Sequence, residues 1–382
     1  MNEREAMALL VSALADQYVQ REAALLKAGS AQDVLADPYA FVRQLGDKGV
    51  LAVRKAIERR EDILEDIERM GAHLLLRGEE GYPERLGQIP RPPHLLFVLG
   101  EKSLEDELPI AIVGTRRAGD YGLRHTHAIA QDLALSGACI VSGLALGVDA
   151  AAHEGALDAQ GRTIAVLGGG LDRFYPEQNE GLRDRILDLG GSIVTEYPMG
   201  TPAKGNRFLL RNRIIAGLSL GVLVTQGPHR SGANRTACDA ADYGREVFAL
   251  PGSVEDPLSQ MPHKLIAEGA HLAACAADIL GVLAPERALK AMPKAKTEKA
   301  QREKSEPMKK GEMDTPKPKA LPEYLSPEER AVMKALEGGE MEFDALCEVT
   351  GMDGAALGAV LMGLEMEGLI NALAGLRYAV SR

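Results

Sequence analysis

The stretch from Ile110 to Asp149 does most to limit what this chain can become. It reads IAIVGTRRAGDYG, then an amphipathic segment, then ACIVSGLALGVD. Ile110–Val113 and Ala138–Val141 are short apolar runs, each closed by a turn containing glycine, with helical periodicity between them. A buried run, a helix and a second buried run make a βαβ unit, with both strands ending on the same edge of a parallel sheet. Glycine-rich turns at such ends let backbone N–H groups approach an anion, a phosphate above all.

The same alternation continues to Leu250. Strands are predicted at Ile110–Val113, Cys139–Val141, Thr163–Leu167, Ser192–Val194, Leu220–Thr225 and Val247–Leu250. Helices are predicted near Gly122–Ser136, Val148–Ala159, Glu180–Leu189, Arg211–Leu218 and Asn234–Tyr243. Continuous apolar strands joined by helices need cover on both faces. The fold class is therefore α/β, a Rossmann-like, doubly wound and mostly parallel sheet, expected over residues 81–285.

Three further segments flank that domain. Residues 1–75 read as a small helical module, with Leu9, Leu10, Leu14, Ile57, Leu64 and Ile67 at helical spacing. Pro83, Pro90, Pro92 and Pro93 predict an extended connector, followed by a short strand at Leu95–Leu99. Residues 286–321 carry eleven Lys/Arg, six Asp/Glu and four prolines, the composition of a flexible basic linker. In residues 322–382, Ser326-Pro327-Glu328-Glu329 forms a capping-box signature. Three predicted helices (near Glu328–Leu336, Glu342–Glu348 and Asp353–Glu367) and a hairpin around Ala374-Gly375 then suggest a winged helix. Its recognition helix, DGAALGAVLMGLEMEG, has no Lys or Arg. Phosphate contacts need cations, so protein docking is the expected role of this unit.

Composition narrows the function classes. The net charge of −11 argues against a generally basic nucleic-acid coat but leaves room for a local basic groove. Aromatics make up 4% of the chain and Trp is absent, against a surface built mainly on stacking. The four cysteines form no C-x-x-C pair, so neither a zinc site nor a disulfide framework is expected. No apolar run reaches the length of a membrane span and no signal-peptide pattern opens the chain, so a soluble cytoplasmic protein is expected. No metal and no cofactor are expected. GxxxxGK[ST] and a strict GxGxxG are both missing.

The candidate site residues lie in loops at predicted strand ends. Arg116 sits in the turn Gly114-Thr115-Arg116, where it could bind an anion or equally cap a neighbouring helix. Ser142-Gly143 could cradle a phosphate or serve backbone geometry. Arg211 and Arg213 bracket Asn212 at a predicted helix start, where cations oppose the macrodipole unless an anion lies between them. Phe208 could stack on a base, though a core position suits it too, and Lys204 and Arg207 could extend the basic edge. Asp149 and His153 share a helix face without a third metal ligand, which favours a structural hydrogen-bonded pair. Asp172 and Tyr175, in GGGLDRFYP, are expected to brace a tight loop.

Taken together, IVGTRRAGDYG, IVSGLALGVDAAAH, TIAVLGGGLDRFYP, RNRIIAGLS and GREVFALPG resemble the DNA-processing protein A family (DprA, also called Smf), from about Gly81 to Gly269. The resemblance implies a single-stranded-DNA-binding recombination mediator of natural transformation that protects incoming strands and loads the RecA recombinase, without catalysis. It implies backbone-phosphate contacts at Arg116 and Ser142-Gly143, continued by Lys204, Phe208, Arg211 and Arg213, with Phe208 near a base. It also implies a homodimer through the later part of the Rossmann-like domain, near Asn234–Tyr243 and His263–Glu268. The sequence departs from the family pattern at Leu209, Gln226, Arg235 and Met261–His263. The alternative is a nucleoside-monophosphate-cleaving enzyme of the related Rossmann-like group. That group carries PGGxGT followed by a catalytic Glu, whereas here Gly168–Gly170 leads into Leu171-Asp172.

Overall fold

In the computed structural model, residues 1–14, 28–229, 231–287, 326–336, 340–366, 369–373 and 377–380 are described. The chain divides into two compact units, Met1–Thr297 and Glu298–Arg382. From residue 288 onward, the expected basic linker lies outside the described residues.

The first unit is built on a nine-stranded sheet. Its strands are β1 (His73–Leu76), β2 (Leu95–Gly100), β3 (Pro109–Val113), β4 (Cys139–Ser142), β5 (Thr163–Val166), β6 (Ser192–Thr195), β7 (Gly221–Val224), β8 (Glu246–Ala249) and β9 (His271–Leu272). Their spatial order is β1-β2-β6-β5-β4-β3-β7-β8-β9. Neighbours from β6 through β9 run parallel, while β1 and β2 are antiparallel additions at one edge. The doubly wound, mostly parallel sheet is thus what the apolar runs predicted.

β3 shows why those runs are continuous. Ile110 and Ile112 enter a core with helices Asp120–Leu135, Val148–Asp158 and Ala276–Leu283. Ala111 and Val113, on the other face, join a core with helices Gly205–Leu218, Ala233–Asp242 and Gln260–Ala267. Successive side chains point to opposite faces, so a strand covered twice must be apolar at every position.

The N-terminal helices are part of this unit. Leu9, Leu10 and Leu14 from helix Glu3–Leu14, with Leu45, Val53 and Ile67, share one core with Leu95, Phe97 and Leu99 of β2 and Ile193 of β6. The segment read as a helical module also ends in a strand, β1, which pairs with β2 from His73↔Val98 to Leu76↔Leu95. Its four residues, HLLL, carry no period that separates strand from helix. The proline-rich connector contains a short helix, Glu84–Gly87, immediately after Pro83. A proline costs no helical hydrogen bond in that position. The buried Tyr82 hydroxyl donates to the Pro93 carbonyl at 2.7 Å and fastens the two ends of the connector together.

His153 is fully buried, and its partner is Thr163 rather than Asp149. The Thr163 hydroxyl donates to the Ile140 carbonyl at 2.6 Å and lies 2.7 Å from His153 Nδ1. One hydroxyl proton cannot serve both contacts, so the hydrogen between Thr163 and the ring sits on Nδ1. Burial accordingly pushes its pKa down to about 3, with the Arg211 charge adding to the effect.

In the second unit, helices Pro327–Leu336, Phe343–Thr350 and Gly354–Met366 enclose a core that includes Val332, Leu336, Leu346, Leu357 and Leu361. A three-stranded sheet completes it: β10 (Met341–Glu342), β11 (Ile370–Leu373) and β12 (Arg377–Val380), in the order β10-β12-β11. The capping box forms as its sequence requires. Glu329 N–H donates to the Ser326 hydroxyl at 3.2 Å, and Ser326 N–H donates to the Glu329 carboxylate at 2.8 Å.

Candidate nucleic-acid interface

β3 is where the sheet's order reverses, with β4 on one side of it and β7 on the other. The connections after these two strands diverge and leave a crevice at their carboxyl ends. A groove of about 810 Å³ opens there. Its walls include Gly114–Arg117 after β3, Phe208, Arg211 and Asn212 of helix Gly205–Leu218, and Pro228 with Ser231–Ala233.

The rim is held by contacts between distant loops. Thr115 N–H donates to the Gln226 carbonyl at 2.8 Å, and the Thr115 carbonyl accepts from Val148 N–H at 3.2 Å. Gly147 permits that second approach. Its φ is +79°, and a Cβ there would stand 2.5 Å from the Thr115 carbonyl oxygen. The Gln226 side chain accepts from Gly119 N–H at 3.0 Å and donates to the Asp256 carboxylate at 3.0 Å. An amide makes both bonds, whereas an ionised acid could make only the first.

The candidate residues divide into an exposed set and an internal one. Arg116 is exposed, with its guanidinium 4.7 Å from the centre of the Phe208 ring. Lys204 is exposed immediately before the helix, between the groove-lining residues Ala203 and Gly205. Arg207, by contrast, is buried, donates to the Pro202 carbonyl and lies over the Tyr197 ring.

Arg211 lines the groove but is only 4% exposed. Its guanidinium donates to the Gly143 carbonyl at 2.8 Å and to the Val166 carbonyl, and its Nε donates to Asn212 Oδ1 at 3.2 Å. Burial pushes its pKa down to about 10, opposed by the nearby Asp149 charge and helped by Arg116. The glycine at 143 is what admits this side chain, since a Cβ there would stand 2.2 Å from the guanidinium. Asn212 also ties the helix to the 228–236 segment by donating to the Gly232 carbonyl at 3.3 Å.

Three expectations change in chemistry. The Ser142 hydroxyl is buried and donates to the Ile112 carbonyl at 2.6 Å. Asp149 is buried beside the same turn, where the N–H groups of Gly143 and Ala145 favour its charged form. Desolvation raises the pKa of that acid, against Arg211, these two N–H groups and Arg116. Asp149 is thus an internal neighbour of the turn for which the sequence offered either a phosphate or backbone geometry. The helix begins at Gly205, not at Arg211, so Arg211 and Arg213 sit mid-helix and the macrodipole argument lapses. Arg213 is 2% exposed, does not line the groove, and forms a buried ion pair with Glu196.

Sequence reasoning missed the exposed face of Tyr175. Its ring lines the groove and is 6.1 Å from the Phe208 ring, tilted by 50°. Nothing in GGGLDRFYP separates such a ring from a loop brace; its neighbour Asp172 does brace, accepting Gly200 N–H at 2.8 and 2.9 Å. The glycine run beside it is filled by the chain itself, since a Cβ at Gly169 would stand 2.9 Å from the Ala203 nitrogen. Among the described residues, no cluster of three or more His, Cys, Asp or Glu could hold a metal ion.

Comparison with known proteins places this architecture. The profile of the family described as DNA recombination-mediator protein A matches residues 73–284, and that of the DprA winged helix domain matches residues 316–375. Protein Smf of Synechocystis is 35% identical over 350 residues, covering 85% of this chain and 86% of the relative. DNA processing protein DprA of Bacillus subtilis is 39% identical over 226 residues, covering 59% and 75%. The crystal structure of DNA processing protein A from Streptococcus pneumoniae superposes with a TM-score of 0.62 at 34% identity, covering 74% of this chain and 98% of that one. A structure of the Helicobacter pylori protein, which concerns its single-stranded DNA binding mode, gives a TM-score of 0.51 at 32% identity, covering 56% and 96%. The chain belongs to the DNA recombination-mediator protein A family.

Proposed function

We propose that this protein binds single-stranded DNA along the groove at the β3/β7 switch point and acts as a recombination mediator. The observation that carries the reading is local. In a chain of net charge −11, the exposed cations Arg116, Arg117 and Lys204 gather at one open groove beside two aromatic rings. Cations hold phosphates and rings hold bases, whatever the sequence of the strand. The relative from Helicobacter pylori, with its single-stranded DNA binding mode, supports the same ligand. Gly114 and Thr115 shape the rim, Gly143, Arg211 and Asn212 hold the wall, and Ser142 and Arg213 brace the frame behind it. Loading of RecA, a role in natural transformation and homodimerisation belong to the same reading and rest on the family resemblance.

The test is a fluorescence-anisotropy titration with labelled single- and double-stranded oligonucleotides at two salt concentrations. Single strands should bind more tightly, and Arg116→Ala should weaken them while reducing the salt slope by about 0.7, the contribution of one phosphate. Equal affinity of wild type and Arg116→Ala at both salt concentrations would sink the groove assignment.

A further inference from the structure

The exposed cations account for the backbone of a strand but not for its bases, and the groove's two rings differ in what already covers them. Phe208 is half-buried, its ring has the Arg116 guanidinium 4.7 Å from its centre, and the Arg211 guanidinium lies 6.0 Å from the same centre. A base reaching that ring must compete with a cation–π contact. Tyr175 is 51% exposed, more open than the half-buried Phe208.

Its mounting is firm. The loop that carries Tyr175 is tied to the loop after β4 through Asn179, a buried residue whose side chain donates to the Leu144 carbonyl at 3.0 Å. Asn179 N–H closes the turn on the Pro176 carbonyl at 3.0 Å. A half-exposed aromatic ring on an anchored backbone loses little entropy when a flat ligand stacks on it. The 50° tilt and 6.1 Å separation of the Tyr175 and Phe208 rings rule out one base sandwiched in parallel between them. They present two separate faces along the groove.

We propose that Tyr175 is a base-stacking residue of this groove, receiving a nucleobase of a single strand whose phosphates run past Arg116 and Lys204. The inference rests on the single-strand reading above and adds a position to it. Stacking uses the π-face that every base has, so this contact holds a strand without reading its sequence.

The experiment measures binding of the full chain to labelled oligothymidylate and to a strand of equal length made of abasic deoxyribose phosphates. Tyr175→Ala should weaken oligothymidylate binding roughly 5- to 150-fold, the range of one lost base–aromatic stack. Tyr175→Phe should stay within about twofold of wild type, because the ring and not the hydroxyl makes the contact. On the abasic strand, wild type and Tyr175→Ala should bind alike, a result that a merely structural role for the ring would not give. Loss of affinity in Tyr175→Ala that is equal on both strands overturns the proposal, as does a Tyr175→Phe variant no better than Tyr175→Ala. If Arg116→Ala weakens oligothymidylate binding while Tyr175→Ala does not, the stacking position fails and the single-strand reading stands. If wild type binds neither strand, both fail.

Discussion

Arg116 and Arg211 look equivalent in the sequence, each an arginine near a predicted strand or helix end, and the structure gives them opposite tasks. Arg211 satisfies the carbonyls of Gly143 and Val166 from within the protein, with Asp149 as a nearby counter-charge. Replacing it by Met should destabilise the fold by about 3–5 kcal/mol, the cost of leaving a buried charge and its acceptors without their partner. Arg116 is exposed, and its replacement by Ala should change stability by no more than about 0.5 kcal/mol. Urea unfolding of the two variants separates these roles. Equal stability loss in both would contradict the division. Of the residues singled out in the sequence, Gly114, Thr115, Arg116, Phe208, Arg211 and Asn212 line one groove. The sequence could not show which way each guanidinium turns, because that depends on a glycine 68 residues away in sequence that makes room for one of them.

At the scale of elements, what was legible followed from burial. The central strands are covered on both faces, so their sequence is apolar throughout and their position could be read directly. β1 was not legible, because a four-residue edge strand is defined by its pairing with β2 and not by its own pattern. The start of helix Gly205–Leu218 was misplaced for a related reason: Lys204 is its N-cap without a side-chain cap bond, so no Ser, Thr, Asp or Asn marks it. The N-terminal helices show the same limit in packing. Their amphipathic spacing says that they bury a face, but not that the face meets β2. That shared core predicts one cooperative transition for residues 1–287. Leu10→Ala, at a fully buried position, should lower the stability of the whole unit by about 2–5 kcal/mol. A separate early transition for the N-terminal helices, with the main melt unmoved, would refute it.

The whole molecule divides its labour unequally. The groove and all its cations belong to the first unit, and the helix Gly354–Met366 of the second carries no Lys or Arg. If the groove binds single strands as proposed, a fragment ending at residue 287 should bind an oligonucleotide within about twofold of the full chain at moderate salt, since the cations proposed to hold phosphates are all present in it. A loss of tenfold or more would assign strand contacts to the segment beyond it.

The pairing of β3 with β7 has a consequence for how the protein comes into being. The rim bond from Thr115 to Gln226 joins loops separated by more than a hundred residues, and the facing wall is closed by Gly232 and Ala233. A growing or truncated chain that has reached only β6 owns the glycine turns and Arg116 but has no opposite bank. On the proposed single-strand reading, such a chain has only half of the groove to offer. The complete groove therefore exists only once β7 and the residues after it have joined β3.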